Sequence, residues 1–186
     1  MPRSGAAARQ RLQQAALELY TEIGYDSTTT AQIADRAGVN HRTFFRHFPD
    51  KREVLFDGED ALAPSLAEAV RNASDTATPM QALHAAFRAS AHVLEANEAI
   101  GARRLRVIAA TPALAERDLA KGAAVASVLA EALRERGASD EEAGLASVVG
   151  WATFHRAASL WLTGPERPLT VHIDEAFDLL AALTTS

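Results

Sequence analysis

Apolar side chains recur along this chain at helical spacing from one end to the other. Leu12, Ala15, Ala16, Leu19 and Ile23 share a face, the rhythm of an amphipathic helix, and Gly24 is placed to close it. Ile33, Ala34 and Ala37 then fall at i, i+1 and i+4, and Phe44, Phe45 and Phe48 repeat the spacing. Thr29 or Thr30 can cap the first of these short helices, because a hydroxyl oxygen accepts one of the orphan N–H groups of the opening turn. Gly38 stands where that helix must stop, since glycine enters the left-handed region without steric cost. Asn40 stands where a new cap is needed. Two short helices around a glycine turn make a helix-turn-helix. Such a unit cannot hold itself together, and the helix ending at Gly24 is its natural packing partner.

The rest of the chain carries clear punctuation. A fourth helix is expected near Lys51, with Val54, Leu55, Leu62, Leu66 and Val70 inward and Gly58 and Pro64 interrupting it. Thr78-Pro79 is a cap followed by proline at the first helical position, opening a helix with Leu83, Phe87, Val93 and Leu94. Thr111-Pro112 repeats the device and starts a long helix through Leu119, Val125, Val128, Leu129 and Leu133, ended by Gly137. Ser139 and Glu142 form a capping box for a helix through Leu145, Val149, Trp151, Phe154, Leu160 and Trp161, stopped by Gly164-Pro165. A last helix from about Val171 carries Ile173, Phe177, Leu180 and Leu183. No window alternates with period two, and the alanine- and leucine-rich composition favours helix. The fold class predicted is all-α, without internal repeats.

The second short helix has distinctive chemistry. With Phe44 and Phe48 inward, its other faces present Asn40, His41, Arg42, Thr43, Phe45, Arg46 and His47. A recognition helix reads base edges near its N-terminus while other side chains grip phosphate. Asn40, His41 and Arg42 suit the first task, and Thr43, Arg46 and His47 the second. Lys51 is expected to hold a phosphate together with nearby N–H groups of the next helix. The bland alternative is a solvated helix with incidental cations, against which the caps, the glycine and both apolar stripes agree in register.

A net charge of −5 argues against a nucleic-acid partner only until the chain is divided. Residues 1–56 hold 8 Lys+Arg and 6 Asp+Glu, a net of +2, while the remainder holds 11 and 18, a net of −7. Phosphate affinity depends on where the cations sit, so a basic face at one end is enough. Arg3, Arg9 and Arg11 form a short basic arm that either reaches a groove or is simply solvated.

The run TTTAQIADRAGVNHRTFFRHFPDK, residues 28–51, resembles the DNA-binding signature of the tetracycline-repressor (TetR) family. The features that match are the paired threonines, Ile33-Ala34, Ala37-Gly38-Val39, and His47-Phe48 followed by Lys51. One departure is Phe45, where the family often has a tyrosine whose hydroxyl reaches a phosphate; only the ring is left for contact here. The resemblance implies about nine helices, with a helix-turn-helix head at residues 1–50 and a ligand-binding and dimerisation body at 51–186. It implies Thr30, Asn40, His41, Arg42, Thr43, Phe45, Arg46, His47 and Lys51 as DNA contacts, and a double-stranded, palindromic operator as partner. It also implies a homodimer through the last two helices, which are apolar over more than one face. In the family the fourth helix links head and body, so a bend at Gly58 and Pro64 is either a pivot or a static kink.

The body is similar to mycofactocin-associated regulators of that family over RRLRVIAATPALAERDLAK and VLAEALRERG…WATFHRAASLWL. This implies an acyl thioester or other hydrophobic anion as effector. Leu83, Phe87, Leu105, Ile108, Val125, Leu129, Trp151, Phe154 and His155 suit an apolar cavity with a few polar handles, or an ordinary core. Arg103, Arg104 and Arg106 either solvate a helix end or meet an anionic group of the ligand.

Other classes find little support. The chain has no cysteine, which excludes disulfides and cysteine-based zinc sites and fits a reducing cytoplasm. His84, His92, His155 and His172 include no i, i+4 pair of the kind that binds metal on a helix. No phosphate loop or nucleophile elbow is present, so no enzyme activity, metal or cofactor is expected. No signal-like apolar core begins the chain, and no apolar run approaches the roughly 18 residues of a membrane span. The reading favoured is a ligand-responsive repressor. An architectural DNA binder, or an activator without small-molecule release, is the alternative, disfavoured by the long apolar body.

Overall fold

A computed structural model describes residues 3–184, apart from the side chains of residues 3–4 and 57–61. The helices are α1 (Arg3–Glu22), α2 (Thr30–Arg36), α3 (His41–His47), α4 (Asp57–Arg71), α5 (Pro79–Glu95), α6 (Glu98–Ala109), α7 (Pro112–Glu135), α8 (Asp140–Thr163) and α9 (Leu169–Thr184). A 3-10 turn, Glu53–Leu55, precedes α4. Among the described residues there is no strand, so the all-α expectation holds.

The capping chemistry sets the short helices. Thr29, not Thr30, caps α2: its side chain accepts from Gln32 N while the Gln32 side chain accepts from Thr29 N. Gly38 takes the left-handed backbone, φ +66, in the turn to α3. Asn40 caps α3.

Several boundaries differ from the expectation, each for a local reason. α1 stops at Glu22, leaving Ile23 45% exposed, and Tyr20 takes the inner place instead. The fourth helix starts at Asp57 rather than near Lys51, because Asp50 Oδ1 accepts the N–H groups of Arg52 (2.7 Å) and Glu53 (3.2 Å) and folds the chain into the 3-10 turn. Gly58 and Pro64 do not interrupt α4, which runs through both; a proline removes one hydrogen bond, and the rest of the ladder carries on. α9 begins at Leu169, ahead of Val171, with the Leu169 N–H donating to the Glu95 carboxylate at 2.8 Å.

Two compact units divide the chain: Met1–Gly58 with Arg103–Asp118, and Glu59–Ala102 with Leu119–Ser186. In the first, Leu12, Ala16 and Leu19 of α1 pack with Ile33, Phe44 and Phe48, and Val54, Leu55 and Phe56 seal the base. Val107, Ile108 and Leu114 complete this same core, a contribution that sequence spacing does not reveal. Phe44 and Phe48 are 0% and 2% exposed, and each such ring contributes about 1.5–3 kcal/mol by leaving water.

In the second unit, α5, α8 and α9 pack on one another. Leu83, Phe87, Val125, Leu129, Leu133, Phe154, Trp161, Ile173 and Phe177 form the centre of its core, with Leu66 and Val70 of α4. Small residues allow close approach: a Cβ at Gly150 would lie 2.8 Å from Leu83 Cδ1. On α8 the faces diverge. Ala143, Gly150, Phe154 and Trp161 are buried while Leu145, Val148 and Leu160 are exposed, and Leu179 and Leu183 of α9 are exposed too.

Candidate nucleic-acid interface

The cap that starts α3 also fixes the chemistry of its surface. Asn40 Oδ1 accepts the Thr43 N–H at 2.8 Å and the Thr43 hydroxyl at 2.9 Å. The carboxamide oxygen is therefore spent on the helix, and Asn40 meets a ligand through its NH2 group. Thr43, expected at a phosphate, can donate to one only by releasing Asn40. His41 Nε2 is hydrogen-bonded to Thr30 Oγ1 at 2.7 Å, tying α3 to the start of α2.

Phe44 and Phe48 point inward, so the opposite face of α3 carries Arg42, Phe45 and Arg46, all exposed. No ion pair holds Arg42 or Arg46 among the described residues. An open hollow of about 520 Å³ lies over this face, lined by Asn40, Arg42, Thr43, Phe45 and Arg46. Nearby cations are already engaged. Arg36 bridges Glu22 (2.8 Å) and Glu18 (3.4 Å), Arg52 pairs with Asp50, and Arg11 Nε donates to Ala37 O. The positive potential of the face thus comes from two guanidinium groups with nothing to neutralise them locally, the arrangement that suits phosphate and base acceptors. The side chain of Arg3, expected in the basic arm, lies outside the described residues.

Lys51, expected at a phosphate, has partners within the chain. Its ammonium donates to Tyr25 O and Thr28 O at 2.8 Å and to Asp26 O at 3.4 Å, and it lies over the Tyr25 ring, 4.2 Å from the centroid. A lysine has three donors, and these contacts make Lys51 a clamp on the α1–α2 loop. Tyr20 backs the clamp by donating its hydroxyl to Lys51 O at 2.5 Å, and burial, followed by the nearby Tyr25 and Asp50, pushes its phenol far above the ordinary range. The partners lie 23 to 26 residues apart in the chain, so spacing carried no signal of it.

His47, also expected at a phosphate, is half-buried at the end of α3. Its Nε2 is buried without a partner. Desolvation first, then Arg46 and Arg9, hold its imidazole below the ordinary histidine range. Arg9 lies over the Phe48 ring at 5.1 Å.

In the second unit, Leu83, Phe87, Val125, Leu129 and Phe154 are buried and pack together, with Phe87 and Phe154 stacked at 4.4 Å. Trp151 is half-buried beside them, and His155, exposed, stands 6.3 Å from its ring. Ile108 belongs instead to the core of the first unit, and Arg106 is exposed on α6. Of the arginine trio, Arg104 approaches Asp118 at 3.8 Å and lies 5.7 Å from the Phe56 ring centre, while Arg103 is exposed. His84 and Arg88, neither proposed for the site, both meet the Asp174 carboxylate, His84 at 2.7 Å. Arg88 foremost, and His84 with it, hold that carboxyl below the usual range. No group of three metal-ligating side chains occurs among the described residues, and no helix there is long and apolar enough to cross a membrane.

Comparison with known proteins fits this geometry. Residues 12–57 match the family model of bacterial regulatory proteins, tetR family, and residues 77–185 match that of the MftR C-terminal domain. The chain is 25% identical over 191 residues to MftR of Mycobacterium tuberculosis, named as a mycofactocin biosynthesis transcriptional regulator, covering 98% of this chain and 96% of that one. It is 41% identical over 81 residues to the HTH-type transcriptional regulator TcmR of Streptomyces glaucescens. That match covers 44% of this chain and spans 36% of the relative's length. Among solved structures it is similar to FadR of Thermus thermophilus, described as a TetR-family transcriptional repressor in complex with lauroyl-CoA. The TM-score is 0.59 at 26% identity, over 96% of this chain and 95% of that one.

Proposed function

The chain belongs to the tetR family of bacterial regulatory proteins and is a transcriptional regulator with an MftR-type C-terminal domain; from that premise we propose that it represses, leaving a palindromic operator when a hydrophobic, acyl-type effector binds. The observation that carries the reading is the α3 face, where Arg42 and Arg46 flank an exposed ring with no carboxylate to neutralise them. Residues 1–50 supply the DNA contacts, through Arg42, Arg46, His41 and the Asn40 NH2 group. Residues 51–186 supply effector binding and pairing.

Two copies of the chain pair through the outward apolar faces of α8 and α9, where Leu145, Val148, Leu160, Leu179 and Leu183 otherwise meet water. A two-fold pair presents two recognition helices to two half-sites. The effector site is assigned to the aromatic group around Phe87, Trp151 and Phe154, with Trp151 and His155 at its accessible edge. Acting on an operator places the protein in the cytoplasm. The effector must bind the DNA-free state more tightly than the bound state for release to follow.

Selection of duplexes from a random pool by the full chain tests this. A recovered palindrome, and loss of its complex on adding lauroyl-CoA, is the expected result. Recovery of sequence-independent duplexes, or complexes indifferent to acyl thioesters of every chain length tried, speaks for an architectural role or an effector-independent activator.

A further inference from the structure

Phe45 is out of place on a polar surface. It is 51% exposed, between Arg42 and Arg46, on the face of α3 turned away from the core. An exposed phenylalanine is commonly free to swing between rotamers, but this ring is held by residues of its own helix. Its edge contacts are with His41, centroids 4.9 Å apart at 65°, and with Phe44, 5.3 Å apart at 80°. Both neighbours are fixed in turn: Phe44 is fully buried and His41 is hydrogen-bonded to Thr30. The ring is therefore an apolar surface pre-set over the hollow that Arg42 and Arg46 line.

A hydrogen-bonding group cannot be the counterpart of that surface, because phenylalanine offers none. In the major groove the base edges present donors, acceptors and one apolar group, the thymine 5-methyl. The other side chains on this face narrow the assignment. Thr43, the other residue here with an apolar group, is half-buried and turned by its hydroxyl onto Asn40 Oδ1, so the large apolar surface open to a base on this face is Phe45. We propose that Phe45 is a specificity-determining residue that reads a thymine methyl in each half-site, bracketed by acceptors that Arg42 and Arg46 contact. The inference rests on the regulator reading above and adds the base to it.

The test uses the full chain and a duplex selected from a random pool, remade with deoxyuridine in place of thymidine so that only methyl groups are lost. The expected result is weaker binding of the uracil duplex, by about fourfold for each methyl in contact. Phe45→Ala should weaken the thymine duplex and bring the thymine-to-uracil ratio close to one. Phe45→Leu should keep part of the ratio. Arg42→Ala should weaken both duplexes alike and preserve it. Melting curves establish that each variant is folded, as substitution at an exposed position allows. Equal affinity of the unaltered chain for both duplexes, the same ratio in Phe45→Ala, or a selected site without thymine overturns the proposal while leaving DNA binding intact. Failure to recover any duplex overturns the regulator reading, and this inference with it.

Discussion

Gly122 and the Trp151 indole meet so closely that a Cβ at position 122 would lie 2.6 Å from Trp151 Nε1. The indole is a rigid plane, so an added methyl has to displace the ring or the helix. Gly122→Ala is expected to lower stability by about 1–3 kcal/mol, read as a fall in melting temperature. Gly150→Ala, whose Cβ would meet the end of the Leu83 side chain at 2.8 Å, should cost less, because a Leu δ-methyl can turn away. An equal or reversed ranking in thermal melts contradicts this account of the packing.

Lys51 and Arg42 separate folding from DNA binding. Lys51→Ala removes the donor from carbonyls of Tyr25 and Thr28, and losing such a bond costs about 1–3 kcal/mol. Its melting temperature should fall without any DNA present. Arg42→Ala and Arg46→Ala should leave the melt nearly unchanged and weaken the complex, and Arg46→Ala should also reduce the salt slope of binding by about one. An Arg42→Ala variant that binds as tightly as the wild type would remove that side chain from the interface.

The Asp174 group gives a pH dependence with a definite sign. Arg88 and His84 lower the carboxyl below its unfolded value, which is about 3.9. The stabilisation is fully present above that value and is lost as pH falls through the folded one. Asp174→Asn should therefore melt below wild type at neutral pH, with the gap closing in acid. Because these groups are partly exposed, added salt should also narrow the gap. A gap that persists unchanged at pH 2 would assign the loss to something other than charge.

The exposed leucines of α8 and α9 predict the assembly. Leu145 is 69% exposed and Leu179 54%. If they cover each other's counterparts in a two-fold pair, Leu145→Glu with Leu179→Glu should yield a monomer by light scattering, with the helical content retained. A wild-type chain that is already monomeric at micromolar concentration would end the pairing model.

Much of the fold could be read from short-range chemistry. Thr78 with Pro79, Ser139 with Glu142, and the glycines at 38 and 137 each act within a turn of the helix they bound, so the linear chain shows them. The break between α5 and α6 at Ala96 and Asn97 has neither glycine nor proline, and its one local mark is Asn97, whose side chain donates to Val93 O at 2.9 Å. The interface divides along the same line. Arg42, Phe45 and Arg46 follow from helical period once Phe44 is placed inward. Lys51 does not, because its partners are 23 to 26 residues away, and a cation beside a helix start looks alike whether it holds phosphate or carbonyls. Hydrophobicity alone does not say which core a side chain enters, so the sequence places Ile108 beside Leu83 and Phe87 where the fold packs it with Phe44 and Phe48.

Val107, Ile108 and Leu114 sit in the core closed by Phe44, Phe48 and Phe56. A ribosome that has released only the first 58 residues has therefore made every side chain proposed to contact DNA but not the material that finishes the core beneath them. The same holds for anyone transplanting this amino-terminal segment onto another regulator: the graft arrives with open sockets for three aliphatic side chains, and the recipient has to supply them.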